Sequence, residues 1–243
     1  MPNHTESEKR ILEDITQRYG RRLAVEALRL GAVKLQPNDP FTWASGYRMP
    51  IYNDNRQFLR EYRLRRLIAG AFLEMMQQLD VTPVRIAGTA TAGIPHATTL
   101  ADAAELPLLY VRSTGKKHGM RNSVEGVVKG TDLTGETVLL IEDLISTGGS
   151  SVQAVRALQA IGASVPWCFS IFTYGLAAAD DTFSGLADPC RYASIITYDI
   201  MIEEALSEGC ISSEEMGEMQ SWRTAPLSWG EERGFPRILK EDD

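Results

Sequence analysis

Apolar positions between residues 7 and 30 recur at the helical period. Ile11, Leu12, Ile15, Tyr19, Leu23, Val25, Ala27, Leu28 and Leu30 form one broad face, which predicts an amphipathic helix stopped at Gly31. Residues 37–59 change character. Pro37-Asn38-Asp39-Pro40, Ser45-Gly46 and Asn53-Asp54 are turn chemistry between short aromatic-rich runs, which predicts a small irregular β segment. Helical spacing returns in the stripe Leu64, Leu67, Ile68, Ala71, Phe72, Met75, Met76 and Leu79. Arg60, Arg63, Arg65 and Arg66 around its start read most simply as a solvated flank. From residue 84 short β-rich runs alternate with helical stretches. Strands are expected at Val84–Ala87, Leu106–Val111, Val124–Val128, Thr137–Ile141, Val165–Tyr174 and Ser194–Thr197, and helices at Gly93–Ala104 and Val152–Ile161. Such alternation, with continuously apolar strands, predicts an α/β fold: a mostly parallel sheet flanked by helices, with a small N-terminal irregular β hood. Ligands of such sheets sit beyond the C-terminal strand ends.

Composition narrows the class. With 243 residues, 44% hydrophobic and 23% charged, the chain is an ordinary globular one, and no repeat or linker divides it. One domain over residues 1–243 is expected, with hood elements at about 1–59 and in the C-terminal tail around a core at about 60–200. The net charge of −7 argues against a nucleic-acid coat and makes any local basic cluster notable. Cys168, Cys190 and Cys210 have neither disulfide-framework nor zinc spacing. Residues 1–23 are charged throughout, unlike a secretory signal, and no apolar run approaches the ~20 residues of a membrane span. A cytoplasmic protein without membrane or nucleic-acid partners is the expectation.

The segment TVLLIEDLISTGGSSV, Thr137–Val152, is the most informative. Val138, Leu139, Leu140 and Ile141 make a buried strand with Glu142 and Asp143 at its end, and Ser146-Thr147-Gly148-Gly149-Ser150-Ser151 then opens a helix. Backbone N–H groups around such a turn converge on a phosphate, and the helix N-terminus adds a favourable dipole. The carboxylates would repel phosphate but suit the vicinal hydroxyls of a ribose, so the segment reads as a ribose-5-phosphate site. The plainer alternative is a strand–turn–helix joint with two incidental acids, although adjacent charges at the end of an apolar strand are costly without a partner. Neither GxxxxGK[ST] nor GxGxxG occurs, so triphosphatase and dinucleotide readings lack their motif.

VLLIEDLISTGGSS resembles the phosphoribosyl-diphosphate (PRPP) motif of the type I phosphoribosyltransferases. That resemblance implies that Glu142, Asp143, Leu144, Ile145, Ser146, Thr147, Gly148, Gly149 and Ser150 hold the ribose 5-phosphate. Upstream, RSTGKKHGMR at residues 112–121 crowds basic groups into a glycine-punctuated loop of a net-acidic chain. A cationic lid suits a departing diphosphate, each charge-assisted hydrogen bond being worth about 1.5–3 kcal/mol, and a closed lid excludes water. A solvated basic loop is the alternative. The spacing Arg112, Lys116, His118-Gly119 resembles the catalytic loop of orotate phosphoribosyltransferases, in which these residues contact diphosphate and the lid closes over a partner subunit's site. Ser113 stands where that family often has a second lysine, and Lys117 is given no role.

Phe41–Phe58 resembles the segment covering orotate in the same family, and Gly88–Pro95 its diphosphate loop. Ala44 and Ala92 replace lysines found in some members. Arg48 and Arg56 are candidates for nearby positive charge or for structural ion pairs. Trp43, Tyr47 and Tyr52 are expected to pack rather than stack on a ligand. Trp222-Arg223 and Trp229 also look familial, and Ser146 matches a position contacting orotate.

The resemblance therefore implies transfer from PRPP to orotate, giving orotidine 5′-monophosphate and diphosphate, as in pyrimidine synthesis. Arg112, Lys116, His118 and Asp143 are its candidate catalytic residues, and a homodimer sharing its lids is implied. Mg²⁺ would be bound mainly through PRPP, with few or no metal ligands from the protein. Two rivals stand beside this reading: a purine or uracil phosphoribosyltransferase, and a non-catalytic PRPP-sensing regulator.

Overall fold

The computed structural model describes residues 4–43, 45–112, 123–128 and 130–238. The N-terminal amphipathic stretch is helical as its periodicity predicts. Helix α1 (Glu6–Ile15) is opened by a capping box between Thr5 and Glu8 and runs through a π-helical turn (Thr16–Gly20) into α2 (Arg21–Leu30), which Gly31 closes. Its apolar face, with Leu12, Ile15, Leu23, Ala24 and Ala27, joins the main core.

The turn-rich segment forms two short antiparallel pairs. Strand β1 (Val33–Leu35) pairs with β4 (Ile51–Asn53), and β2 (Phe41–Thr42) with β3 (Arg48–Met49). A 3-10 turn, Asn55–Arg60, leads into α3 (Tyr62–Gln78).

The rest is built on a six-stranded sheet of β5 (Arg85–Thr89), β6 (Leu108–Val111), β7 (Val124–Glu125), β8 (Thr137–Ile145), β9 (Ser164–Thr173) and β10 (Arg191–Thr197). Their spatial order is β10-β9-β8-β5-β6-β7. All neighbours are parallel except the edge strand β7, which runs antiparallel to β6. Crossovers are made by α4 (Gly93–Ala104), α5 (Gly149–Gln159) and α6 (Ala177–Ser184), and α7 (Tyr198–Ser207), α8 (Ser213–Thr224) and α9 (Trp229–Glu232) close the chain.

Side-chain alternation along β8 splits the interior in two. Leu139 and Ile141 enter the larger core beneath α1–α4 and α7, whereas Val138 and Leu140 enter a second core beneath α5 and α6; past the acidic pair the alternation changes phase, so that Leu144 packs on the larger core and Ile145 enters the second. The N-terminus buttresses the far edge of the sheet. His4 is buried with Nε2 3.1 Å from the Tyr192 carbonyl, and Glu8 pairs with Arg191, whose guanidinium lies over the Trp167 ring.

Several boundaries differ from expectation. The run at 124–128 contributes only a two-residue edge strand, and the strand before the basic loop begins after Pro107, which has no N–H to donate. Helix α5 begins at Gly149, earlier than the apolar spacing alone marks. Strand β8 does not end at Ile141: it continues through the acidic pair to Ile145, because β9 extends beside it with Glu142 opposite Ser170 and Leu144 opposite Phe172. On its other edge the pairing with β5 stops at Gly88 opposite Ile141, and this opens a cleft at the acids.

Candidate active site

The cleft is a cavity of about 480 Å³. Glu142, Asp143 and Leu144 of β8, Ser146–Ser150 of the turn, Ala90–Ala92 after β5, and Asn53, Asp54 and Arg56 line it. Of the residues expected to hold a ribose phosphate, all but one meet here. Ile145 does not: its side chain is fully buried in the second core, where a change in the phase of alternation past the acidic pair puts it.

No ion pair joins either acid directly to a basic side chain among the described residues, although the charge of Arg56, across the cavity, acts on Asp143. Glu142, only 5% exposed, accepts from the Asp143 N–H at 3.1 Å, from the Ser151 hydroxyl at 3.2 Å and from Ser150 at 3.5 Å. Burial, reinforced by the neighbouring Asp143 charge, raises the Glu142 pKa well above the usual carboxylate range. Burial also raises that of Asp143. Glu142 is thus held by neutral donors, while the less buried Asp143 faces the cavity beside it.

The turn that follows presents the opposite electrostatics. Gly148 has φ 78° and is followed at once by the N-terminus of α5, so the backbone from Ser146 to Ser150 curls around the cavity floor beneath a favourable helix dipole. Gly93 allows the wall formed by the Ala90–Ala92 loop to close. A Cβ there would lie 2.6 Å from the Ile141 carbonyl oxygen and 2.6 Å from Thr89 Oγ1.

Ser146 and Thr147 also line a second cavity of about 670 Å³. Its walls are Trp43, Tyr47, Met49, Leu176, Trp222 and Leu227, and Arg223 is the one charged side chain lining it among the described residues. Trp43 and Trp222 have their own N–H groups satisfied, by the Ile51 carbonyl at 2.9 Å and Met49 Sδ at 3.0 Å. The aromatic faces are thus held in place, and Trp43 packs on Tyr174 and Trp222 as expected while also lining this pocket. Arg223 pairs with Asp199 at 2.5 Å beside the Tyr198 ring.

Over half of the chain, residues 54–184, matches the phosphoribosyl transferase domain family. The chain is 43% identical over 210 residues to the orotate phosphoribosyltransferase of Listeria monocytogenes, covering 86% of this chain and 98% of that one. The chain belongs to the orotate phosphoribosyltransferase family. Its Bacillus subtilis relative, also an orotate phosphoribosyltransferase, is 45% identical over 206 residues, covering 85% of this chain and 93% of that one. Among solved structures, the orotate phosphoribosyltransferase of Aeropyrum pernix superposes with a TM-score of 0.65 at 26% identity, covering 78% of this chain and 99% of that one.

Other residues with family counterparts are arranged less directly. Arg112 stands at the foot of the basic loop, where its N–H donates to the Ser123 carbonyl and its guanidinium pairs with Glu125 at 2.9 Å; it does not line either cavity. Lys116 and His118 lie outside the described residues. Arg48 is structural, donating to the Pro40 carbonyl at 3.0 Å beside the Phe235 ring. Arg56 lines the acidic cavity and pairs with Asp54 at 2.5 Å. Arg223, noted in the sequence only as part of a familial-looking tail, lines the aromatic cavity; no spacing signal marked it for that place.

Proposed function

We propose that the protein transfers the 5-phosphoribosyl group of PRPP to N1 of orotate. The observation that carries this reading is the junction at Ser146-Thr147, where a cavity with two buried acids and a glycine turn meets an aromatic cavity lined by Arg223. In this reading the turn at 146–150 accepts the 5-phosphate, Glu142 and Asp143 accept hydrogen bonds from the ribose hydroxyls, and orotate lies in the aromatic cavity with its carboxylate toward Arg223. Ser146 sits between donor and acceptor.

The C1–O bond to diphosphate breaks with its electron pair leaving on oxygen, and the N1–C1 bond forms from the other face. The N1 proton goes to the departing diphosphate or to solvent. Positive charge developing on the ribose ring favours nearby carboxylates, so Asp143 and Glu142 act on the transition state as well as in binding. Arg112, Lys116 and His118 are proposed to close over the diphosphate, in a homodimer across the subunit boundary. Among the described residues no group of three or more His, Cys, Asp or Glu side chains is arranged to cage a metal. Mg²⁺ bound mainly through PRPP would supply charge neutralisation to the leaving group. No described helix is long and apolar enough to cross a membrane, and a cytoplasmic setting is part of this proposal.

An absorbance assay of orotate consumption with PRPP and Mg²⁺ tests the reading, with hypoxanthine, adenine and uracil as alternative acceptors. Orotate is expected to be consumed and the others not. Turnover of a control base without orotate overturns the acceptor assignment, and PRPP binding without turnover of any base overturns the enzyme.

A further inference from the structure

Strand β8 carries its functional carboxylates past the point where its neighbour β5 has stopped. Pairing ends at Gly88 opposite Ile141, and side chains then take over from the ladder. The Thr89 hydroxyl donates to the Ile141 carbonyl at 3.2 Å, and Asn55 Nδ2 donates to the Asp143 carbonyl at 2.7 Å. Asn55 is 0% exposed, and its Oδ1 is buried without a hydrogen-bond partner. A buried amide left half-satisfied is costly, so burial at this position is explained by the one bond the side chain does make.

The bond is long-range. Asn55 opens the 3-10 turn that Asp54 caps, 88 residues before Asp143, on the segment that carries Asn53, Asp54 and Arg56 into the cavity wall. A hydrogen bond to the Asp143 carbonyl fixes the peptide plane after Asp143 and so limits the direction in which its carboxylate leaves the strand.

We infer that Asn55 is the positioning residue for Asp143: through the Asp143 backbone carbonyl it sets the carboxylate's aim at the sugar. The inference rests on the proposed donor site. It separates two parts of that site that a general loss of structure would affect together, because the Asn55 side chain hydrogen-bonds to the acidic pair's backbone rather than to the turn at 146–150.

Binding of ribose 5-phosphate and of inorganic phosphate is measured by calorimetry in the wild type, Asn55→Ala and Asn55→Asp, the last being isosteric but without the donor. The preference for ribose 5-phosphate over phosphate is expected to fall about tenfold or more in both variants, with phosphate affinity kept within about twofold. In turnover, kcat is expected to drop about thirtyfold or more while KM for orotate stays within about threefold, the pattern of a misaimed group. Unchanged preference in folded variants overturns the inference alone. Equal loss of both ligands, or failure of both variants to fold, assigns Asn55 to the scaffold and also overturns it. A wild type that does not prefer ribose 5-phosphate overturns the donor site and the inference with it.

Discussion

Glu142 shows at the level of one side chain how function and stability oppose each other here. Its carboxyl is buried among neutral donors beside a second acid, and burial followed by the Asp143 charge raises its pKa above the unfolded value. Between those two values the folded state binds more protons than the unfolded one. The ligand-free protein therefore loses stability as pH rises from near 4.5 toward the folded pKa. Glu142→Gln removes that slope. It should raise stability by about 1–3 kcal/mol at high pH, with a difference that shrinks toward zero near pH 5, while increasing KM for PRPP by about tenfold or more. Thermal unfolding at several pH values with steady-state kinetics checks both halves. A pH-independent stability difference would mean that Glu142 is not the titrating group. Glu142 and Asp143 were legible in the sequence because two charges at the end of an apolar run demand a partner. Asn55 was not, since an asparagine in Asn53-Asp54-Asn55 carries the local signature of a turn, and only the fold supplies its partner 88 residues on.

At the level of elements, the helices and strands with clear periodicity were legible, and α4 (Gly93–Ala104) matches its predicted bounds. What escaped were features imposed by neighbours: β8 runs on because β9 extends beside it, and β7 is reduced to an edge pair. The helices after β10 were also unread, because α8 has a weakly segregated surface and is anchored chiefly by two large buried residues, Met219 and Trp222. The β8–α5 joint is where local conformation matters most. Gly148 is at φ 78°, and a Cβ there would approach the Phe183 ring at 3.1 Å. Gly148→Ala is therefore expected to cost about 1–2 kcal/mol of stability by forcing a left-handed residue, and to weaken phosphate and ribose 5-phosphate binding by a similar factor. Calorimetry distinguishes this from the Asn55 variants, which alter only the ratio of the two. If Gly148→Ala leaves phosphate binding intact, the turn is not the phosphate cradle.

Over the whole molecule, the sheet supports the donor cavity with its central strand, whereas the adjoining aromatic cavity is closed by segments from both sides of the family domain at 54–184. Trp43, Tyr47 and Met49 come before it, and Trp222, Arg223 and Leu227 after it. On the proposed function, donor recognition would rest on the shared core, and acceptor recognition would draw also on what this chain adds around it. Arg223 allows the two to be separated. Its side chain is 37% exposed and its partner Asp199 is 55% exposed, so in solvent their ion pair is worth about 0–1 kcal/mol and its loss should barely change stability. A charge-assisted contact to an acceptor carboxylate inside an aromatic pocket is worth about 1.5–3 kcal/mol. Arg223→Ala should therefore raise KM for orotate about tenfold or more, leave KM for PRPP within about twofold, and move the melting temperature by no more than about 4 °C. Arg223→Lys should recover only part of the loss, because an ammonium cannot meet a carboxylate with two parallel N–H donors. Equal increases in KM for both substrates would instead mean that Arg223 acts on the closure of the C-terminal segment over the whole site, and the acceptor would have to be sought on the acidic side of the Ser146-Thr147 junction.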